Sequence, residues 1–141
     1  MKIKIKKLTE TAVVPNFAHD DDAGMDIYSD EDIIIEPKKR VLIKTGIAME
    51  FPKEYAALVW DKSGIAINKG LTKIAGVIDA GYRGEYKIAM FNLNEEPVKI
   101  SKGEKIAQIL FQKIEHPEVE ITEELSESSR GSGGFGSTGI K

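Results

Sequence analysis

Cysteine is absent from the 141 residues, which removes disulfides, thiolate nucleophiles and thiolate metal ligands and gives no pointer to an oxidising compartment. Histidine is scarce, with His19 and His116 alone, and no zinc spacing or serine–histidine–acid set can be picked out. Long apolar runs are missing, so neither a membrane span nor a membrane partner is expected. The first residues, MKIKIKKL, alternate lysine with isoleucine and lack a continuous apolar stretch and a cleavage site. They are read as something other than a signal peptide, and cytoplasm is the expected compartment. A strong charge of one sign is lacking too. Twenty basic residues face 23 acidic ones, for a net charge of −3, which argues against a bulk nucleic-acid partner. A small phosphorylated ligand remains compatible, because a few local cations can hold one.

What is present is alternation. Hydrophobic residues make up 41% and charged residues 30%, the balance of one ordinary domain able to bury a core. Ile3 and Ile5 oppose lysines; Met25 and Ile27 alternate with Asp26 and Tyr28. The segment RVLIKTGIAMEF reads as a long strand broken at Gly46, and Tyr86, Ile88 and Met90 face away from Lys87, Ala89 and Phe91. Prolines 15, 37, 52, 97 and 117 fall between these runs. EKIAQILFQKI fits helical spacing about as well as strand spacing, and its short length among strands favours a strand. Helix is expected only as a short piece, near PKEYAALVW or SGIAINKG. The sum is an all-β barrel or sandwich. Past residue 117 the chain turns to serine, glycine and acids, so residues 1–117 read as the barrel and 118–141 as an arm unable to order itself alone.

Each chemical motif has a plain alternative. GSGGFG at 131–136 matches a dinucleotide fingerprint, but no strand precedes it and too little chain follows to form the helix. The run HDDDAGMD could gather a metal, although charge runs usually face water. Asp26 differs from its neighbours, since an acid inside an alternating segment needs a partner. DKSGIA sets Lys62, Ser63 and Gly64 after a strand, as a phosphate cradle or as an ordinary turn. Gln108 among apolar neighbours is a satisfied core amide or a ligand contact. In GVIDAGYRGEYKI, Asp79 stands at the lip of what reads as a β-hairpin, between Val77-Ile78 and a glycine-rich turn. It is either a general-base candidate or a turn aspartate capping its own backbone.

Taken in order, AHDDDAGMDIYS, DKSGIA, GVIDAGYRGEYKI, KGEKIAQILF and RGSGGFGSTG resemble the five motifs of the homotrimeric dUTP pyrophosphatases (dUTPases), over residues 18–139. The resemblance implies a jelly-roll-like β-barrel of the β-clip type with a flexible glycine-rich C-terminal arm. It also implies a homotrimer with active sites at subunit interfaces, Mg²⁺ on the triphosphate, and hydrolysis of dUTP to dUMP and pyrophosphate. By position, Asp79 would activate the water that attacks the α-phosphorus. Tyr82 would pack on the deoxyribose and exclude a 2′-hydroxyl. The backbone from Gly76 through Val77 and Ile78 to Lys87 would pair with the uracil edge.

The same carry-over gives the phosphates to Lys62, Ser63, Gly64 and Gln108. Arg130 would reach the γ-phosphate, Phe135 would cover the base, and Gly136, Ser137 and Thr138 would complete the arm's contacts. Asp26 would assist the metal through water or brace the second motif. The sequence departs from the family pattern at Asp61-Lys62, where Pro-Arg is usual, and at Lys105, where arginine is common; a lysine keeps the charge without the planar fork. Lys73 stands where a uracil-contacting asparagine is frequent. Related deaminases acting on dCTP carry a glutamate ten residues after the motif's aspartate, and here that position is Ala89. A non-catalytic nucleotide-binding trimer is the other alternative.

Overall fold

The protein is described from a computed structural model, covering residues 1–134. The expected all-β architecture is what forms: eleven strands and one short helix among the described residues. The strands are β1 (Lys4–Lys7), β2 (Met25–Tyr28), β3 (Ile33–Ile35), β4 (Arg40–Ile43), β5 (Ile47–Glu50), β6 (Tyr55–Trp60), β7 (Leu71–Lys73), β8 (Val77–Ile78), β9 (Ile88–Asn92), β10 (Val98–Ile100) and β11 (Lys105–Lys113). The helix, α1, is Ser63–Lys69.

They assemble as a four-stranded sheet in the order β2-β11-β6-β8, a three-stranded sheet β4-β9-β7, and the pairs β1-β5 and β10-β3. Every named pairing is antiparallel, so each strand can bury one face and wet the other. The buried faces meet in a single core rich in isoleucine, with Ile27, Ile35, Ile43, Ile47, Ile88, Ile100, Ile106 and Ile109 joined by Leu71, Met49, Met90 and Tyr86. β-Branched side chains suit this pleated, jelly-roll-like packing because their stiff χ1 angles cost little to order.

Local expectations resolve cleanly. The segment EKIAQILFQKI is strand β11, paired on both sides by β2 and β6. Of the two helical candidates, SGIAINKG forms α1, while PKEYAALVW becomes β6, where Ala56, Ala57 and Val59 are buried. The long strand breaks at Gly46, whose φ of +64° turns the chain out of one pairing and into another. Its halves, β4 and β5, serve different sheets.

One expectation is corrected. The two arms around Asp79 do not form a hairpin, because β8 pairs with β6 while β9 lies between β4 and β7. The cause is geometric. Gly76 adopts φ +144° and brings its backbone against Val59, whose N–H donates to the Gly76 carbonyl at 2.7 Å. That contact docks β8 on β6 and draws it away from the strand that follows. Beyond β11, residues 115–132 are exposed throughout. No described helix is long and apolar enough to cross a membrane.

Candidate active site

Holding the arms apart leaves an open trough. A cavity of about 360 Å³ is lined by Leu42, Val77, Ile78, Asp79, Tyr82, Glu85, Tyr86 and Lys87. A second, of about 210 Å³, shares Leu42, Val77, Ile78 and Lys87 with it and runs on past Gly76 and Lys73. The trough therefore runs between two backbone arms that do not pair with each other. The close approach at Gly76 requires glycine, since a Cβ there would stand 2.8 Å from the Val59 carbonyl.

The loop at the mouth is built from its own backbone. The Tyr82 N–H donates to the Asp79 carbonyl at 3.0 Å and closes the turn, so Asp79 presents its carboxylate outward, exposed at the trough's rim. Arg83 donates to the carbonyls of Ala80 (2.6 Å) and Tyr82 (3.0 Å), stiffening the same turn. The Tyr82 hydroxyl donates to the Glu85 carbonyl at 3.1 Å. Glu85 in turn accepts from the Gly46 N–H at 3.0 Å and lies 3.8 Å from the Lys87 ammonium. Tyr86, beneath, is 1% exposed, and burial pushes its phenol up to about 12.

A second cluster lies where β2, β6 and β11 end together. Asp26 is 3% exposed, and the partner that the sequence demanded is two lysines. Lys62 donates to Oδ1 at 2.6 Å, and the Lys105 ammonium makes an ion-pair contact with Oδ2 at 2.6 Å that is not an aligned hydrogen bond. Burial alone would push the Asp26 carboxyl up; the two ammonium groups outweigh it and hold it below the ordinary carboxylate range. The same pairing raises Lys105. Gln108 donates to the Asp61 carbonyl at 2.9 Å, and the Asp61 side chain accepts from the Lys73 N–H (2.6 Å) and the Thr72 hydroxyl (2.8 Å). The turn carrying Lys62, Ser63 and Gly64 is thus braced from three sides, and Ser63 and Gly64 remain exposed.

Both departures from the family pattern, Lys62 and Lys105, converge on one buried carboxylate. A point-like ammonium stands against each oxygen, as a hydrogen bond on Oδ1 and as an ion pair alone on Oδ2. Both Asp26 oxygens are engaged in this way, and among the described residues no group of three potential metal-ligating side chains gathers. The turn of Asp20, Asp21 and Asp22 is a local one, closed by the His19 N–H on the Asp22 carboxylate.

The two clusters are far apart within one chain. Ile78 pairs with Ala57 and Gln108 with Trp60, which puts Asp79 beside one end of β6 and Ser63 beyond the other. Five residues of strand between them span roughly 17 Å. Arg130 is exposed on the arm, where its Nε–H donates to the Gly133 carbonyl at 2.9 Å. Phe135, Gly136, Ser137 and Thr138 lie outside the described residues. Sequence reasoning did not single out Glu85 as a tether or Tyr86 as part of the trough wall. The aromatic pair at 82 and 86 was the available signal.

Comparison with known proteins points to one family. The family model described as dUTPase fits residues 10–139. A deoxyuridine 5′-triphosphate nucleotidohydrolase from Clostridioides difficile is 48% identical over 140 residues, covering 98% of both chains. One from Clostridium tetani is 49% identical over 139 residues, covering 97% of this chain and 96% of its own. Among solved structures, the dUTPase of Staphylococcus bacteriophage 80alpha with dUPNHPP superposes with a TM-score of 0.95 at 33% identity, covering 99% of each chain. A point mutant of the dUTPase from phage phi11 of S. aureus, described as coordinating a structural Mg(II) ion, gives 0.85 at 28% identity over 90% of this chain and all of its own.

Proposed function

The chain belongs to the dUTPase family, and from that membership we propose how its own residues perform the reaction. The activity is hydrolysis of dUTP to dUMP and pyrophosphate, which limits uracil incorporation into DNA and supplies dUMP. Deamination of dCTP does not fit this chain, because the position of the proton-shuttling glutamate is the half-buried Ala89.

The observation that carries the mechanism is the unpaired pair of arms with one outward acid at their mouth. Uracil would lie along the trough and take the hydrogen bonds that β8 and the segment before β9 do not give each other. A base with another donor pattern would leave those groups unpaired, at about 1–3 kcal/mol for each one buried. Tyr82 would then lie against the deoxyribose, and Asp79 would accept a proton from the water attacking the α-phosphorus. Ser63, the Gly64 N–H and Gln108 would hold the phosphates. Lys62 would add positive charge while tied to Asp26. Arg130 and the arm residues Phe135 to Thr138 would close over the nucleotide, with residues 1–117 as the barrel and 118–141 as the arm.

Such a site needs more than one copy of the chain. The separation of Asp79 from Ser63 along β6 exceeds the reach of a triphosphate bound at the base by one subunit. That supports a homotrimer with each site at an interface. A cytoplasmic setting without nucleic-acid or membrane partners belongs to the same reading.

Mg²⁺ is the cofactor of the family. This chain supplies no side-chain cage for it among the described residues, and both Asp26 oxygens are engaged by lysines. The donor set fits an ion carried by phosphate oxygens and water, as magnesium prefers. When bound it neutralises phosphate charge.

The test is pyrophosphate release from each deoxynucleoside triphosphate in turn. Release from dUTP alone is expected; ammonia from dCTP, or no product from any of them, would overturn the assignment.

A further inference from the structure

Tyr82 offers its ligand only one face. The other face stacks on Tyr86, with ring centroids 5.9 Å apart and planes inclined at 30°. The ring's hydroxyl end is tied to the Glu85 carbonyl. A side chain at Gly84 would collide with that hydroxyl, so the glycine leaves the ring its place. Tyr86 itself has almost no freedom. Its N–H donates to the Ile47 carbonyl at 2.8 Å, its carbonyl accepts from the Thr45 hydroxyl at 2.5 Å, and its ring is 1% exposed within the core. Tyr82, by contrast, is 46% exposed and sits on a loop whose glycines would otherwise let it swing.

The Tyr86 hydroxyl has no hydrogen-bond partner although it is buried. The contact that the side chain makes with Tyr82 is therefore made by its ring. We propose that Tyr86 is a positioning residue for sugar selection: its immobile ring fixes the plane of Tyr82, and so sets how sharply the enzyme rejects a ribonucleotide. The inference rests on the reading of Tyr82 as the residue that packs on the deoxyribose. A 2′-hydroxyl adds one heavy atom, and a wall can exclude so small a group only if it does not tilt. Without the stack, Tyr82 could rotate away from UTP at little cost, while dUTP, which needs no such movement, would still be turned over.

The experiment compares kcat/KM for dUTP and UTP in the full-length protein. Tyr86→Leu is expected to raise the UTP/dUTP ratio about threefold to tenfold, the equilibrium worth of one aromatic pair. Tyr86→Phe keeps the ring and is expected to keep the wild-type ratio. Tyr86→Met fills the site with a flexible, unbranched chain that has no ring, and it carries the leucine expectation if that variant does not fold. A residue that only supports the core would lower both activities together and leave the ratio unmoved. That result, or a relaxed ratio in Tyr86→Phe, overturns the proposal. Tyr82→Ala is measured alongside. If it leaves the ratio unchanged, the reading of Tyr82 fails. If it relaxes the ratio while Tyr86→Leu and Tyr86→Met do not, only the role of Tyr86 fails.

Discussion

Replacing Asp26 with asparagine isolates the charge at the junction of three strands. The amide keeps the shape and one neutral acceptor, so the change removes charge and little volume. Lys62 loses a charge-assisted hydrogen bond at 2.6 Å to a carboxylate that is 3% exposed. Bonds of this kind contribute about 1.5–3 kcal/mol, and the 32% exposure of the lysine lets water recover part of it. A loss of about 2 kcal/mol is expected. Lys105 acts in the same direction but is open to solvent, and nothing further is assigned to it.

The sign with pH follows from the depressed carboxyl. A group whose folded value lies below its unfolded one, about 4 for aspartate, stabilises fully above that unfolded value. The contribution disappears as pH falls through the lower folded value. Thermal or urea unfolding of Asp26→Asn and the parent at equal protein concentration, at pH 7 and again near pH 3, measures both halves. The stability gap should be present at neutral pH and should narrow once the pH falls below the unfolded value. A gap of equal size at both pH values, or an asparagine variant as stable as the parent at pH 7, would refute the electrostatic account.

Asp79→Asn is expected to retain dUTP binding while kcat falls by about 10² to 10⁴, the usual worth of a positioned base; isothermal titration beside a turnover assay separates the two. Gly76→Ala should cost about 1–3 kcal/mol, because its φ is foreign to a side chain and its Cβ would press on the Val59 carbonyl. A calorimetric scan reads that loss, and an unchanged midpoint would contradict the geometry. Truncation before Arg130 should leave the sedimentation behaviour of the assembly intact and severely lower turnover; monomers would mean that the tail is structural.

Alternation was enough to read the sheet-forming segments and the inward set of Tyr86, Ile88 and Met90, because a period of two fixes which face is wet. It did not show which strand pairs with which. The turn after Asp79 looks like a hairpin in sequence, and only the docking of Gly76 on Val59, seventeen positions earlier, sends the two arms to different sheets. Asp26 could be recognised as an acid in need of a partner. That Lys62 and Lys105 would both reach it, across separations of 36 and 79 residues, is a product of register in β2, β6 and β11. Asp61 gave no warning of its bonds to Thr72 and Lys73, since a turn acid preceding a lysine reads as solvated. The five motifs point to the family through their order, while the locations of Asp79 and Ser63 at opposite ends of β6 are visible only in three dimensions.

That opposition has a genetic consequence. If the base comes from one subunit and the phosphate grip from another, two separately dead proteins can revive each other when mixed, one lacking its carboxylate at 79 and the other its amide at 108. Some of the mixed sites would inherit both intact halves. By the same token, a single defective allele would poison sites it does not wholly own, so its damage would exceed its share of the population.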